Sequence, residues 1–506
     1  MHHYRRMLAP VLELLSFQSN NTQYQPIIEA LQVIQEQLTT SCTYYPDTLT
    51  IPLNGAINQL HTPLVVEESD DGDRVKRIDY ELCVLRNLRD KIRSKEVWIN
   101  GAFQYRNPEK DLPQDFDTNS DFYYNLLDMP KNAKQFIKRL KVLLTKHLTE
   151  FNTSLPKNKL VTILQKPLGH IKVTPLVAQL PPPQLNAIKQ EVFKRWPSTS
   201  LLDVLKETNL FENFIKDFVP SGPKESLDND ILTKRILLAI LGYGTNTGLK
   251  SISVGNDDVT YQDLKYIRLR YFDPDNLRNA IRTITNGLLK IRAPEIWGSS
   301  TTAVASDSTH VKTSDQNLMS RWHPRYHSRG VMIYWHVETN SICIYSQLKS
   351  CSSSEVSSMI EGVLRHCTDM DVKKNYVDTH GASEVGFAFS YVLNFDLLPR
   401  FKNIYNQKLY CVEKDDITKY SNLTSIISKA IDWNKIETQY EQIIKYTAAL
   451  KLGTADAETI MKRFTRNNIQ HPTYKALSEL GKAVKTIFLC QYLSSEALRQ
   501  EINEGL

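Results

Sequence analysis

Hydrophobic side chains recur at helical spacing through roughly the first 290 residues. The opening stretch has them at Leu12, Leu15, Ile27, Ile28, Leu31, Ile34 and Leu38. Apolar residues three and four positions apart form one face of an amphipathic helix, so we predict packed helices. An acidic stretch at 67–73 predicts a turn or linker, with a metal-binding loop as the alternative, and the prolines at 181–183 mark a second joint. The pattern therefore predicts two helical units, 1–180 and 181–298.

The pattern changes near residue 300 from helical to strand spacing. β-branched and aromatic residues dominate three stretches that predict strands, at 301–311, 330–337 and 341–346. A helix, a strand, a helix and a strand are then predicted at 354–367, 375–378, 384–393 and 396–400. This order of elements is the one found in RNase H-like nucleotidyltransferases. We therefore predict an α/β, RNase H-like core with a mixed sheet over residues 299–403.

The chain beyond Phe401 returns to helical spacing, in stretches at 426–431, 443–452 and 474–493. We predict a helical insertion over residues 404–506. Five basic side chains in it are candidates for DNA contact, although separate exposed charges contribute little individually. They are Lys445, Lys451, Lys462, Arg463 and Arg466.

Composition limits the kinds of partner, location and metal site to be expected, but it does not identify a function. Lys and Arg outnumber Asp and Glu by 62 to 56, a net charge of +6 that is compatible with a polyanionic partner but does not establish one. The longest apolar run, 236–241, is far shorter than the ~20 residues of a membrane span, so we expect a cytoplasmic protein. The seven cysteines are scattered without a C-x-x-C pair, which indicates reduced thiols. Any bound metal would then be held by carboxylates, which favour Mg²⁺ or Mn²⁺.

Two aspartates fall at strand positions that lie side by side in the predicted topology. Asp307 lies on the first strand of the core, and Asp378 ends the fourth. Two carboxylates converging there would be able to bridge a pair of divalent cations for phosphodiester chemistry. The alternative is that each is an ordinary turn or cap residue.

Two segments have a basic character that suggests DNA contact. Residues 131–148 carry six cations and no acid, and a helix here would present Lys138, Arg139 and Lys141 to DNA phosphates, or simply to solvent. Residues 316–337 also lack acids. There, basic side chains interleave with Trp322, Tyr326, Tyr334 and Trp335, which predicts phosphate clamping and stacking on an unpaired strand end. The candidates in this second segment are Arg321, His323, Arg325 and Arg329.

Three other features have competing explanations. His380 would be able to orient a metal-bound water or a phosphate, but a structural histidine is the equal alternative. His323 and His327 have the spacing of a zinc protease helix, yet Pro324 stands where the catalytic Glu should be, so we exclude that class. The glycine-rich stretch 242–248 lacks the G-x-G-x-x-G spacing and predicts a helix end rather than a nucleotide loop.

Several of these motifs together resemble the Tn-three family of replicative transposases. In the core they are Ser306-Asp307, His323-Pro324-Arg325-Tyr326, Tyr376-Val377-Asp378-Thr379-His380-Gly381, Gly386-Phe387 and Pro399-Arg400-Phe401. Outside the core they are Arg195-Trp196, Leu201-Leu202-Asp203, Gly244-Thr245-Asn246-Thr247-Gly248-Leu249 and Leu477-Ser478-Glu479-Leu480-Gly481-Lys482. The resemblance covers nearly the whole chain.

The resemblance implies an Asp-Asp-Glu active site with two Mg²⁺ or Mn²⁺ ions. It also implies nicking and strand transfer on double-stranded DNA, at terminal inverted repeats and target, and a homodimer in the full-length form. The family's two aspartates carry over to Asp307 and Asp378. Its catalytic Glu follows a helix that resembles 493–506, so we expect the third ligand to lie beyond the chain, and Glu496, Glu501 and Glu504 to be solvated acids on that helix.

The first residues resemble the middle of the family's sequence, so we also expect the region that recognises inverted repeats to be absent. The leading hypothesis is a metal-dependent DNA-cutting transposase by descent, inactive as a fragment. A second is an inert DNA-binding chain that interferes with transposition. A third is a helical interaction scaffold without a nucleic-acid role.

Overall fold

The computed structural model describes residues 3–68, 73–103, 105–164, 169–177, 180–196, 198–223, 227–297, 302–339, 342–465, 468 and 471–506. The side chains of His3, Pro294 and His380 are excepted. No helix in these ranges is both long enough and apolar enough to cross a membrane.

The region before residue 180 is mainly helical, as predicted, but it also contains three short antiparallel strand pairs. The helices are α1 His3–Leu14, α2 Gln25–Glu36, α3 Thr62–Val65, α4 Arg77–Arg93, α5 Ser120–Leu126 and α6 Ala133–Ser154. The strands are β1 Phe17–Gln18, β2 Val66–Glu67, β3 Arg74–Val75, β4 Trp98–Ile99, β5 Val161–Leu164 and β6 His170–Val173. They pair as β1 with β4, β2 with β3, and β5 with β6. Strands of two to four residues are too short to show the alternation of apolar and polar residues that predicts a strand, so the sequence pattern did not predict them.

The described residues between 180 and 298 form seven helices, in the region predicted to be a helical unit. They are α7 Leu185–Arg195, α8 Leu201–Glu212, α9 Asn229–Gly244, α10 Leu249–Val254, α11 Tyr261–Tyr271, α12 Pro274–Ile291 and α13 Pro294–Trp297. The glycine-rich stretch is a helix end, because α9 stops at Gly244. Gly248 has a φ of 82°, a conformation that favours glycine, immediately before α10.

The central feature is a six-stranded mixed sheet, so the predicted α/β character is confirmed. Its strands are β7 Ala303–Lys312, β8 Arg321–His323, β9 Ser328–Glu338, β10 Cys343–Ser350, β11 Lys374–Val377 and β12 Asp396–Pro399. The spatial order is β10-β9-β7-β11-β12, with the short β8 paired to β9. β9 is antiparallel to both of its long neighbours, whereas β11 is parallel to β7 and to β12. The helices are α14 Glu355–Arg365 and α15 Glu384–Val392, so only β8 had not been predicted.

The chain after the sheet is largely helical, with one error in the prediction. It forms β13 Leu409–Cys411, β14 Ile427–Ala430, α16 Trp433–Leu452, α17 Ala457–Arg463, α18 Pro472–Ser494 and α19 Glu496–Gly505. The helix predicted at 426–431 is wrong, because these residues form β14 and pair in parallel with β13. The apolar spacing fits either structure over so short a stretch, and tertiary pairing decides it.

Three hydrophobic cores organise these elements. One spans buried residues between Leu8 and Val97, a second spans Phe214 to Ala280, and the largest combines Leu112–Ile171 with Ala303–Ile502. Helix α6 therefore packs in the same core as the sheet, against α16, α18 and β13. The domain boundaries at 180, 298 and 403 stay a prediction.

Candidate active site

Strand pairing sets the two predicted aspartates beside one another. In the parallel ladder of β7 with β11, Ser306 is the partner of Val377, and Asp307 and Asp378 each come one residue later. Neighbouring strands lie about 4.8 Å apart, so the two backbone positions are adjacent. Asp307 is exposed in mid-strand, and the Asp378 side chain is 17% exposed just beyond the end of β11.

A chain of buried polar side chains connects the three central strands β9, β7 and β11 at Ser306, the residue before Asp307. The Oγ of Ser306 on β7 donates to Oδ1 of Asn375 on β11 at 2.8 Å, and lies 2.8 Å from Nδ1 of His336 on β9. The Nε2 of His336 lies 3.1 Å from the carbonyl oxygen of Ser358 on α14. Gly362 permits this approach, because a Cβ there would overlap the imidazole ring. These contacts hold β9, β7 and β11 in the pairing that brings Asp307 beside Asp378.

The segment after β11 is held against the segment after β12. The Oγ1 of Thr379 donates to the carbonyl oxygen of Arg400 at 2.9 Å and accepts from the backbone N–H of Lys402 at 2.9 Å. The Nζ of Lys402 lies 3.8 Å from Oδ2 of Asp378. A cation thus stands beside one of the two carboxylates.

A third carboxylate, that of Glu355, lies close to the pair. Its Oε1 accepts from Oγ of Ser308 at 2.9 Å, while the backbone N–H of Ser308 donates to Oδ1 of Asp307 at 2.7 Å. Burial raises the pKa of the Tyr334 phenol, and the negative charges of Glu355, Asp307 and Asp378 raise it further. Negative charge is therefore concentrated around Tyr334.

The donor set suits a hard divalent cation but is small. Carboxylate oxygens are the ligands that Mg²⁺ takes from proteins, usually one or two of them with water completing the shell. Asp307 and Asp378 fit that requirement. Among the described residues, no group of three or more His, Cys, Asp or Glu is arranged to hold a metal ion.

One acid of α19, Glu501, contacts β11. Oε1 of Glu501 accepts from Nζ of Lys374 at 2.6 Å and from the Tyr376 hydroxyl at 2.7 Å, while the Glu501 side chain remains 38% exposed. The two partners belong to β11, and α19 therefore covers the part of the sheet that precedes Asp378.

The basic and aromatic segment forms an exposed hairpin. β8 pairs with the first residues of β9, and the turn between them includes His327 at a φ of 46°. Arg321, Arg325 and Arg329 are exposed; the Arg325 guanidinium lies 5.6 Å from the Tyr326 ring, and the Arg329 Nε lies 3.8 Å from Asp315. The His323 and Tyr326 ring centroids lie 4.7 Å apart. This hairpin continues the β7–β9 ribbon on which Asp307 lies.

The helix predicted at 131–148 forms from Ala133 onward as part of α6, but the cations of this basic segment are less free than its sequence suggests. Four of its six cations pair with acids, in the ion pairs Lys131–Asp121, Lys134–Glu437, Lys141–Glu413 and Lys146–Glu150. Lys141 is accordingly tied to the protein itself, with Nζ 2.8 Å from the Glu413 carboxylate. Lys138 and Arg139 are exposed. The structure does not bring this helix and the aspartates to one site, because α6 packs on α16, α18 and β13.

Three further candidate residues have different outcomes. The side chain of His380 lies outside what the structure describes, although its backbone belongs to a short 3₁₀ turn at Thr379–Gly381. Arg463 is buried, with Nη1 2.7 Å from Glu109, so the idea that it contacts DNA is wrong. Arg466 lies outside the described residues.

Comparison with known proteins identifies the family. Residues 203–506 match the model described as Tn3 transposase DDE domain. The chain belongs to this family. It is 25% identical to the transposase for transposon Tn1546 of Enterococcus faecium, over 99% of this chain and 50% of that protein. It is also 25% identical to the transposase for Tn2501 of Escherichia coli, over 85% and 43% respectively.

A third relative is the transposase for Tn501 of Pseudomonas aeruginosa, 23% identical over 99% of this chain and 50% of that protein. The chain thus spans about half the length of the curated relatives that it matches. The predicted resemblance to the Tn3 family is confirmed.

Sequence reasoning missed two charged neighbours in this member of the Tn3 family. Glu355 lies at the start of the helix predicted at 354–367 and Lys402 follows the last predicted strand of the core, but neither residue was singled out. Their proximity to the aspartates depends on how β10, α14 and β12 fold back onto β7 and β11. The only sequence signal was that each adjoins a predicted element of the core.

Proposed function

We propose that the chain acts in DNA transposition, with Asp307 and Asp378 holding divalent cations that support nicking and strand transfer. The observation that carries this proposal is the parallel pairing of β7 with β11, which sets both aspartates at one point of the sheet. Membership of the Tn3 transposase DDE-domain family supports it, because domains of this kind generally use divalent metal ions.

The sheet order supports an RNase H-like core as part of the same proposal. Numbered along the chain without the short β8, the long strands lie in the order third, second, first, fourth, fifth, and only the second is antiparallel to the others. This arrangement carries one carboxylate on the first strand and one after the fourth. We propose that the helices after β12 form an insertion into that core.

The residues of the chain have distinct parts in the proposed reaction. Asp307 and Asp378 would hold Mg²⁺ or Mn²⁺; such ions, when bound, activate an attacking oxygen and stabilise the leaving oxygen of a phosphodiester. Lys402 offsets the negative charge at Asp378, with its Nζ 3.8 Å from Oδ2 of that carboxylate. Ser308 links Glu355 to Asp307 and fixes the orientation of both.

The exposed hairpin supplies the contacts to DNA in this proposal. Arg321, Arg325, Arg329 and His323 lie on or beside a ribbon that leads away from Asp307, so a bound strand would follow it. The proposed partners are double-stranded DNA, namely transposon terminal inverted repeats and target, and a second copy of the full-length protein. Lys138 and Arg139 remain candidates for a more distant DNA contact.

Nicking of supercoiled plasmid in Mn²⁺ tests the proposal. Any nicking by the chain should be lost in Asp307→Asn and in Asp378→Asn, because each substitution removes half of the charge that holds the cation. Asp371→Asn is a matched control, since Asp371 is 74% exposed and pairs only with Lys373 among the ion pairs of the described residues. Equal nicking by Asp307→Asn and the unaltered chain would overturn the assignment of this site.

A second candidate function is DNA binding without cutting. It is favoured by the absence of any three-ligand metal group among the residues that the structure describes. This candidate predicts salt-sensitive retention of DNA that is unchanged by Asp307→Asn, and no nicking in Mn²⁺. Absence of retention even at low salt would exclude both functions and favour a helical scaffold.

A further inference from the structure

The sheet is open to solvent on one side, beginning at the aspartates. In the β7–β9–β10 pairing, Asp307 lies opposite Trp335 and Trp335 lies opposite Ser346; in the next row, Thr309 lies opposite Ile333 and Ile333 lies opposite Leu348. Directly opposed residues on neighbouring strands project to the same side of a sheet. We call the side chains of Asp307, Thr309, Ile333, Trp335 and Leu348 the open sheet face.

Two large apolar side chains in these rows are exposed in the part of the chain that the structure describes. Trp335 is 38% exposed and Leu348 is 53% exposed, whereas Tyr334 and His336, which flank Trp335 along β9 and project to the other side, are buried. Trp335 therefore exposes a large aromatic surface to solvent, although the residues before and after it on β9 are buried.

The same face of the sheet is covered by α19 where it reaches β11, the strand on the far side of β7 from β9. The Tyr376 hydroxyl donates to Glu501, and the backbone at Gly505 is so close to the Tyr376 ring that a Cβ there would overlap it. Helix α19 thus shields the sheet as far as Tyr376, two residues before Asp378. Within the described residues, α19 covers the sheet beside β11, and the open sheet face lies on the other side of Asp307.

We propose that the open sheet face binds an unpaired nucleobase, stacked on Trp335, of the DNA strand whose phosphate reaches Asp307. This inference rests on the proposed function and specifies its substrate. Trp335 provides an aromatic platform directly beside Asp307, with the apolar Leu348 in the next row. The bases of an intact duplex have no free faces, so only a base that has left its stack can use such a platform.

Charge complementarity favours a nucleic acid strand over a protein segment as the occupant. The hairpin beyond the open sheet face carries Arg321, Arg325 and Arg329, and Asp315 is the sole acid between Ser308 and Val337 in the sequence. A backbone of phosphates would follow these cations while one of its bases rests on Trp335. A protein segment would need to bring several carboxylates to the same place.

Fluorescence of a 2-aminopurine base in a short single-stranded oligonucleotide tests this inference. The titration is carried out in Ca²⁺, so that binding is measured without cutting. We expect quenching on binding by the unaltered chain, and loss of that quenching with roughly 5- to 100-fold weaker single-strand affinity in Trp335→Ala. Trp335→Phe should retain part of the quenching, because it keeps an aromatic face.

Two comparisons make the result specific. Trp196→Ala is the matched control, since Trp196 is an exposed tryptophan next to helix α7, outside the sheet. Affinity for a fully paired duplex should change by less than about twofold in Trp335→Ala, because phosphate contacts are untouched. Equal losses for single strand and duplex, or unchanged quenching in Trp335→Ala, would overturn the stacking role and leave the open sheet face to a protein segment.

Failure of this inference is distinguishable from failure of the proposed function. If Trp335 does not stack but nicking still depends on Asp307, only the inference falls. If quenching depends on Trp335 while nicking is unchanged in Asp307→Asn, the proposed active site fails and the stacking role stands, because the fluorescence assay contains no cutting step.

Discussion

Removing the Ser306 hydroxyl should loosen the strand pairing that aligns the aspartates. Ser306 is buried between His336 and Asn375, with 2.8 Å contacts to both, and all three residues are almost completely excluded from water. In Ser306→Ala, Nδ1 of His336 and Oδ1 of Asn375 each lose a partner without gaining access to solvent. A buried polar group left without a hydrogen bond costs about 1–3 kcal/mol, so the two orphaned groups together should cost about 2–6 kcal/mol.

Ser390 offers a matched control for this substitution. It is also buried, at 1% exposure, but its Oγ has no hydrogen-bond partner among the residues that the structure describes. Ser390→Ala removes the same atom from a comparable environment without orphaning another group. The change should therefore be neutral or stabilising by up to about 1 kcal/mol.

Hydrogen exchange followed by mass spectrometry is the appropriate assay, because a chain with three cores need not unfold in one step. Peptides covering β7 and β11 report the local opening free energy. A loss of 2 kcal/mol or more corresponds to roughly 30-fold or faster exchange in Ser306→Ala. Exchange within about threefold of the unaltered chain, or the same change in Ser390→Ala, would refute the role of this polar chain.

Three further predictions concern stability. Arg292→Met should lower the local opening free energy around β9, measured by hydrogen exchange, by about 3–5 kcal/mol, because it removes both 2.9 Å contacts between the guanidinium and the buried Glu338 carboxylate. Adding Glu338→Leu should restore most of the loss. Gly481→Ala should lower the local opening free energy of α18, measured by hydrogen exchange, by about 1–3 kcal/mol, since its Cβ would overlap the Glu384 carbonyl oxygen. A neutral result would contradict the close packing of α18 on α15. Burial lowers the pKa of His336 to about 3, so between about pH 6.5 and pH 3 the unfolded chain binds a proton at this residue and the folded chain does not. This contribution to stability is therefore complete above that window and falls by up to about 1.4 kcal/mol for each pH unit below about 6.5. The stability of His336→Gln should decrease less steeply with falling pH than that of the unaltered chain.

The order of elements in the core was readable from the sequence. Runs of β-branched residues predicted β7, β9 and β10 to within a few residues, and the position of Asp307 within one strand and of Asp378 at the end of another followed directly. The hydrogen bonds that fix their relative position were not readable. Ser306, Asn375 and His336 are polar residues within strand patterns, and only the folded sheet shows that they meet.

The basic helix shows why charge in one segment misleads. Residues 131–148 contain no acid, yet Glu413, 272 residues away from Lys141, supplies a carboxylate to it. Counting charges within a window ignores acids that tertiary packing brings in from elsewhere. For the same reason Lys402, from the segment after β12, was missed beside Asp378.

The most direct measurement of the central claim is the location of a bound divalent cation. Crystals of the chain soaked in Mn²⁺ should give an anomalous difference peak about 2.1 Å from carboxylate oxygens of both Asp307 and Asp378, the distance that small hard cations adopt. The peak should disappear in Asp307→Asn. A well-defined structure in which Mn²⁺ binds only elsewhere, or in which the two carboxylates are too far apart to share an ion, would contradict the account.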